Sequence, residues 1–155
     1  MTKIKNKQAL IISILIPIAV GALSALLSGN MQEYQALIKP PLSPPSFVFP
    51  VVWTILFILM GISAYIIYVS SDPLRKKALL IYSLQLIFNF FWSIIFFGFS
   101  QYLFAFVWLL VLILLIILMI IVFYKISPLA SYLQIPYLLW CIFALYLNFA
   151  IYALN

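Results

Sequence analysis

The chain contains no histidine, only two acidic residues, Glu33 and Asp72, and a single cysteine, Cys141. Each shortage excludes a class of chemistry. Without histidine or an acidic cluster, the usual protein ligands for a metal are missing, and so are the Ser-His-Asp and Cys-His nucleophile systems and the paired carboxylates of glycosidases. We therefore expect no metal centre. A lone thiol cannot close an intrachain disulfide and says nothing about redox compartment. Charge is scarce altogether: 6% of the 155 residues are charged against 68% hydrophobic, too little polar surface to coat a soluble globule of this size.

What the chain has in abundance is long apolar runs. Five of them, at about residues 9–27, 47–70, 74–99, 102–124 and 128–154, are each long enough to cross ~30 Å of hydrocarbon. They predict an all-α integral membrane protein, a five-transmembrane-helix bundle forming one domain over residues 1–155, with a loop at 28–46. The first run follows Lys3, Lys5 and Lys7, as a signal peptide would. Its about 19 apolar residues exceed an h-region, however, so it reads as a retained helix. Pro17 should kink it. Gly21, Ala22, Ser24, Ala25 and Ser28 make its second half small, either for close helix packing or to leave room for a ligand.

The loop carries Tyr34 and then prolines at 40, 41, 44 and 45. Each proline fixes φ and lacks an N–H, which predicts a stiff, extended lid. The lid runs into the second span at Phe49-Pro50. Trp53 follows, with Phe49 and Phe57 four residues to either side, an aromatic ridge beneath the lid. Asp72 before Pro73 reads as a helix cap. In the third span Gln85, Asn89 and Ser93 recur every four residues on one face, bordered by Trp92. That face serves either interhelical hydrogen bonding or polar contact with a ligand. The fourth span, nearly pure Leu, Ile and Val with Trp108, reads as a lipid-facing or dimer-facing wall. The fifth starts at Ser127-Pro128 and continues through Pro136 to the end. Trp140, Ala144 and Leu147 share one stripe with Asn148 beside it, a pattern that suits either packing or a site.

Orientation follows from the basic residues. In a five-span chain Lys3, Lys5, Lys7, Arg75, Lys76, Lys77 and Lys125 fall on one side and only Lys39 on the other, which predicts a cytoplasmic N-terminus and an outward-facing lid and C-terminus in a multi-pass cell-membrane protein. The net charge of +6 is explained by topology and anionic lipid and calls for no nucleic acid.

Taken together, Lys39-Pro40, Pro44-Pro45, Phe49-Pro50, Trp53-Thr54, Gln85-Leu86, Asn89, Trp92-Ser93, Pro136-Tyr137, Trp140, Phe143-Ala144 and Leu147-Asn148 make the chain similar to the TspO/MBR family, the tryptophan-rich sensory proteins related to the mitochondrial translocator protein. The resemblance covers almost the whole chain. It implies a five-helix bundle, commonly a homodimer, with a pocket beneath the first loop that binds porphyrins and benzodiazepine-type drugs. It also implies a link to light-dependent porphyrin breakdown. On that resemblance the ligand-binding candidates are Ser24, Tyr34, Pro44, Phe49, Trp53, Phe57, Asn89, Trp92, Trp140, Ala144 and Leu147, with no covalently bound cofactor and porphyrin as ligand or substrate. Two departures stand out: Leu42 and Phe47 occupy lid positions where many relatives carry indoles, and no Lys or Arg follows Tyr152 to complete a sterol-binding pattern.

Among function classes, proton- or ion-coupled transport is disfavoured because no span carries an ionisable group away from its ends. A retinal-type photoreceptor lacks its intramembrane lysine. The leading expectation is a receptor or sensor for a flat apolar ligand. The alternatives are an enzyme in which a light-excited porphyrin reacts with Trp53 or Trp140 as electron donor, and a small-molecule transporter.

Overall fold

Asn6 opens the first helix. In the computed structural model, which describes residues 6–29 and 31–155, its side chain accepts the Ala9 N–H at 3.1 Å, and α1 runs Lys7–Ser28 with Pro17 buried inside it. Lys3 and Lys5 lie outside the described residues. A short helix absent from the sequence reading, α2 (Met31–Gln35), precedes the proline loop, and α3 (Val48–Tyr68) follows it. Pro50 falls in the first turn of α3, where its missing N–H removes no helical bond. At the next turn Asp72 behaves as a cap, its Oδ1 accepting the Leu74 N–H at 2.8 Å. Then come α4 (Arg75–Ser93), a single π turn (Ile94–Gly98), α5 (Tyr102–Ile126), α6 (Pro128–Tyr132) and α7 (Ile135–Leu154). The protein is a helical, multi-pass membrane protein with five helical spans among the described residues.

Three elements differ from the sequence expectation. The fifth span is two helices. Pro136 cannot donate to the carbonyl of Tyr132, and its ring crowds that carbonyl, so the chain turns at Leu133–Gln134 and starts again with Pro136 in the first turn of α7. The third span ends in a π turn, closed by the Phe99 N–H on Ile94 O at 3.0 Å. The turn holds Phe96 and Phe97 against Tyr34, Trp92 and each other. The fourth span is not simply a wall. Leu109, Leu112, Ile116, Met119 and Phe123 of α5 are buried in the centre of the bundle, while Leu103, Val107, Leu110, Leu114 and Ile121 face outward. A helix that is apolar all round has no polar stripe to reveal which side is covered.

Close approach sets the bundle's shape on its other side. A Cβ on Gly61 of α3 would lie 2.6 Å from Ser13 O and against Ile14 Cα, so only glycine lets α1 and α3 pack here. The lid is pinned on its N-terminal side. Pro40 is buried, Tyr146 Oη donates to Pro41 O at 2.9 Å, and the Asn155 side chain accepts from Ile38 N at 3.0 Å and donates to Ile38 O at 2.9 Å. Leu42, with φ +71°, forms an exposed tip.

Candidate ligand cavity

The small residues of α1 pack against α4 and border a cavity. Ser24 Oγ donates to Phe90 O at 2.7 Å and Ser28 Oγ lies 2.9 Å from Ser93 Oγ, which fastens α1 to α4. Gly21, Ala22 and Ala25 of α1 carry little or no side chain, and beside them a cavity of about 420 Å³ remains. Phe49, Pro50, Trp53, Thr54 and Phe57 of α3 form a second wall. Asn89, Trp92 and Ser93 of α4 with Phe97 of the π turn form a third, and Trp140 and Ala144 of α7 a fourth. This volume lies in the usual range of small-molecule sites, roughly 300–1,000 Å³.

The aromatic geometry is specific. Trp53 stacks on Phe57 with centroids 5.4 Å apart and meets Tyr137 edge-on at 6.2 Å, and Phe49 meets Trp140 edge-on at 5.9 Å. Of the four indole N–H groups, two are committed. Trp92 Nε1 donates to Asn148 Oδ1 at 3.1 Å, and Asn148 in turn donates to Tyr102 O at 2.8 Å. Trp108 Nε1 donates to Phe88 O at 2.8 Å. The N–H groups of Trp53 and Trp140 reach no protein acceptor among the described residues. Both side chains line the cavity.

Asn89 takes the interhelical role of its two sequence readings. Its Nδ2 donates to Tyr137 Oη at 2.8 Å, and Tyr137 Oη donates to Gln85 Oε1 at 2.7 Å, so the amide ties α4 to α7. Its Oδ1 has no protein donor among the described residues, and Asn89 lines the cavity. Among the described lining residues, one amide oxygen and two indole N–H groups have no protein partner, and the walls around them are mostly apolar. Among the described residues no ionisable side chain lines the cavity.

Of the eleven candidates taken from sequence, eight line this cavity: Ser24, Phe49, Trp53, Phe57, Asn89, Trp92, Trp140 and Ala144. Tyr34, Pro44 and Leu147 do not. Tyr34 lies behind the wall, edge-on to Phe49 at 6.3 Å and to Phe97 at 5.3 Å, with Lys39 Nζ 5.0 Å over its ring. Burial pushes the pKa of its phenol up. Pro44 belongs to the lid, and Leu147 is buried outside the lining. Sequence reasoning missed Ile18, Thr54 and Phe97 as lining residues, and it missed Tyr137 as the hub of the polar chain. Helical spacing from Gly21 and Phe57, three residues on from Ile18 and Thr54 respectively, could have found the first two. The π turn, which positions Phe97, has no comparable signal.

A second concavity lies outside. A groove of about 440 Å³ between α3 and α7 is lined by Val52, Ile55, Leu56, Pro136, Leu139, Trp140 and Phe143. Ile55 and Leu139 are more than half exposed, so the groove opens on the membrane-facing surface. Trp140 belongs to both groove and cavity.

A family model described as "TspO/MBR family" matches residues 13–154. The chain is 37% identical to "Tryptophan-rich protein TspO" of Chlorobaculum tepidum over 97% of this chain and 99% of that protein. It is 33% identical to "Tryptophan-rich sensory protein" of Cereibacter sphaeroides, over 95% and 92% of the two chains. Similarity extends to "Translocator protein" of Homo sapiens, 34% identical over 81% of this chain and 76% of that one.

Proposed function

The chain belongs to the TspO/MBR family, and from that premise we propose that it is a membrane receptor whose cavity under the first loop binds a flat apolar ligand of the porphyrin or benzodiazepine type. The observation that carries the reading is the cavity's composition: apolar walls, two indoles with uncommitted N–H groups, and one amide oxygen without a donor. Stacking on an indole is worth about 0.5–1.5 kcal/mol beyond the area buried. Asn89 Oδ1 would orient a donor on the ligand, such as a pyrrole or amide N–H. The pinned lid lowers the ordering cost of binding, because Pro41 and Ile38 are held by α7 before any ligand arrives. We further propose that the N-terminus is cytoplasmic with the lid outside, and that the protein acts as a homodimer, as the resemblance implies.

Titration of the purified protein with protoporphyrin tests this, in the dark and under illumination, following fluorescence quenching and the Soret band together. Saturable dark quenching with a stable Soret band is the expected result. No saturable quenching would overturn the reading. Loss of the band that requires both light and the protein would assign it instead the porphyrin-degrading activity, with the free indoles of Trp53 and Trp140 as the electron donors.

A further inference from the structure

Four buried side-chain atoms have no hydrogen-bond partner among the described residues: Tyr82 Oη, Gln85 Nε2, and both Nε2 and Oε1 of Gln134. Gln85 and Gln134 are fully buried, and Tyr82 is 6% exposed. Three other buried polar side chains of the interior are paired. Ser63 Oγ donates to Ala130 O at 2.6 Å, Ser131 Oγ to Ile120 O at 2.9 Å, and Asn148 makes two bonds.

Helix register places the unpaired side chains along one seam. Asn89 and Gln85 of α4 bond Tyr137 of α7, and Trp92 further along α4 bonds Asn148 further along α7, so the two helices run in the same direction. Tyr82 lies one turn before Gln85, on the same face of α4. Gln134 lies one turn before Tyr137. Both therefore sit at the same step below the bonded chain, on the side away from the cavity. At that step the helix is already broken, because Pro136 cannot donate to the carbonyl of Tyr132.

The chemistry of the set selects its occupant. A glutamine amide offers two donors and an acceptor with two lone pairs, and a phenol offers one of each. The unpaired group thus contains donors (Gln85 and Gln134 Nε2) and an acceptor (Gln134 Oε1), with Tyr82 Oη able to serve as either. A cation would leave the donors unpaired and an anion the acceptor. A small neutral molecule that both donates and accepts satisfies all of them, and a buried water with 2–4 polar partners meets that description. We propose that the seam between α4 and the α6–α7 break binds a short file of ordered water, held by Tyr82, Gln85 and Gln134. The file extends the Asn89–Tyr137–Gln85 chain from the cavity floor toward the opposite end of the bundle.

The test is X-ray radiolytic labelling in ¹⁸O water on the full chain in nanodiscs. Bound water labels Tyr82 and Tyr137 at yields comparable with exposed Tyr124. Phe123, fully buried and stacked on Tyr82 with centroids 6.4 Å apart, serves as the dry reference and stays at background. Tyr82 and Tyr137 as silent as Phe123 would overturn the proposal. Gln134→Leu supplies a second reading with an opposite sign for each case. In a dry seam, replacing an unpaired buried amide by an apolar side chain of similar bulk raises Tm. In a hydrated seam, leucine displaces water and strands Tyr82 Oη and Gln85 Nε2, so Tm falls and the Tyr82 label is lost. The labelling of the unsubstituted protein decides the matter even where that variant fails to fold.

Discussion

Gly61 and Gly21 offer a paired experiment in which one fold feature predicts two different losses. A methyl on Gly61 would meet backbone, 2.6 Å from Ser13 O and 2.9 Å from Ile14 N. Reaching the 3.4 Å of ordinary contact requires α1 and α3 to separate by about 1 Å. Backbone cannot rotate aside, so Gly61→Ala should cost about 1–3 kcal/mol of stability. A methyl on Gly21 instead meets the far end of the Phe57 ring, including Cζ at 2.7 Å. A ring end can swing, and this one lines the cavity and stacks on Trp53. Gly21→Ala should therefore spare stability, at under about 1.5 kcal/mol, and reduce porphyrin affinity more than Gly61→Ala does. Thermal unfolding in nanodiscs reads the first quantity and fluorescence quenching by protoporphyrin the second. Equal stability losses in the two variants, or an unchanged Tm for Gly61→Ala, would refute the argument that glycine spacing sets the distance between α1 and α3.

Three other outcomes follow from the same geometry. Asn89→Leu deletes both the Tyr137 bond and the free Oδ1, so it should lower stability by about 0.5–1.5 kcal/mol and ligand affinity by a similar amount; Tyr137→Phe should reproduce only the stability loss, and equal affinity losses in both variants would remove the direct ligand contact. Trp53→Phe and Trp140→Phe keep an aromatic face and should each weaken dark binding by about 1 kcal/mol, less than tenfold; if light-driven porphyrin loss at matched occupancy is unchanged in the double variant, the indoles are not its electron donors. A reporter fused after Asn155 should be extracytoplasmic and one in the Arg75–Lys77 loop cytoplasmic, and a cytoplasmic C-terminal reporter would invert the proposed orientation.

How far the sequence could be read depended on whether a residue advertises its surroundings. The five spans were legible because hydrocarbon demands length and apolarity together. Asp72 was legible as a cap because a short acidic side chain before proline has few other uses. The cavity walls were largely legible as well: small residues on α1 and indoles on α3, α4 and α7 are costly departures from Leu and Ile. Trp92 was placed in the wall without any sign that its N–H was committed to Asn148, because a hydrogen bond between α4 and α7 has no local signature. The break at Gln134 did have one, since Pro136 forbids a bond to Tyr132, and reading the span as continuous gave too little weight to that constraint. The burial of one face of α5 left no trace in its uniform composition.

Trp140 is the partition between the cavity and a groove that faces the lipid tails. One side of the site therefore borders a solvent in which an apolar ligand concentrates far above its aqueous level. An equilibrium constant expressed against total ligand in buffer will then fold in the ligand's preference for lipid and shift with the lipid-to-protein ratio. Comparisons between ligands or variants are meaningful at fixed membrane volume, or after conversion to mole fraction in the bilayer. On that scale, a hydrophobic compound that ranks as tight in buffer can prove to be an ordinary binder with an abundant reservoir at its door.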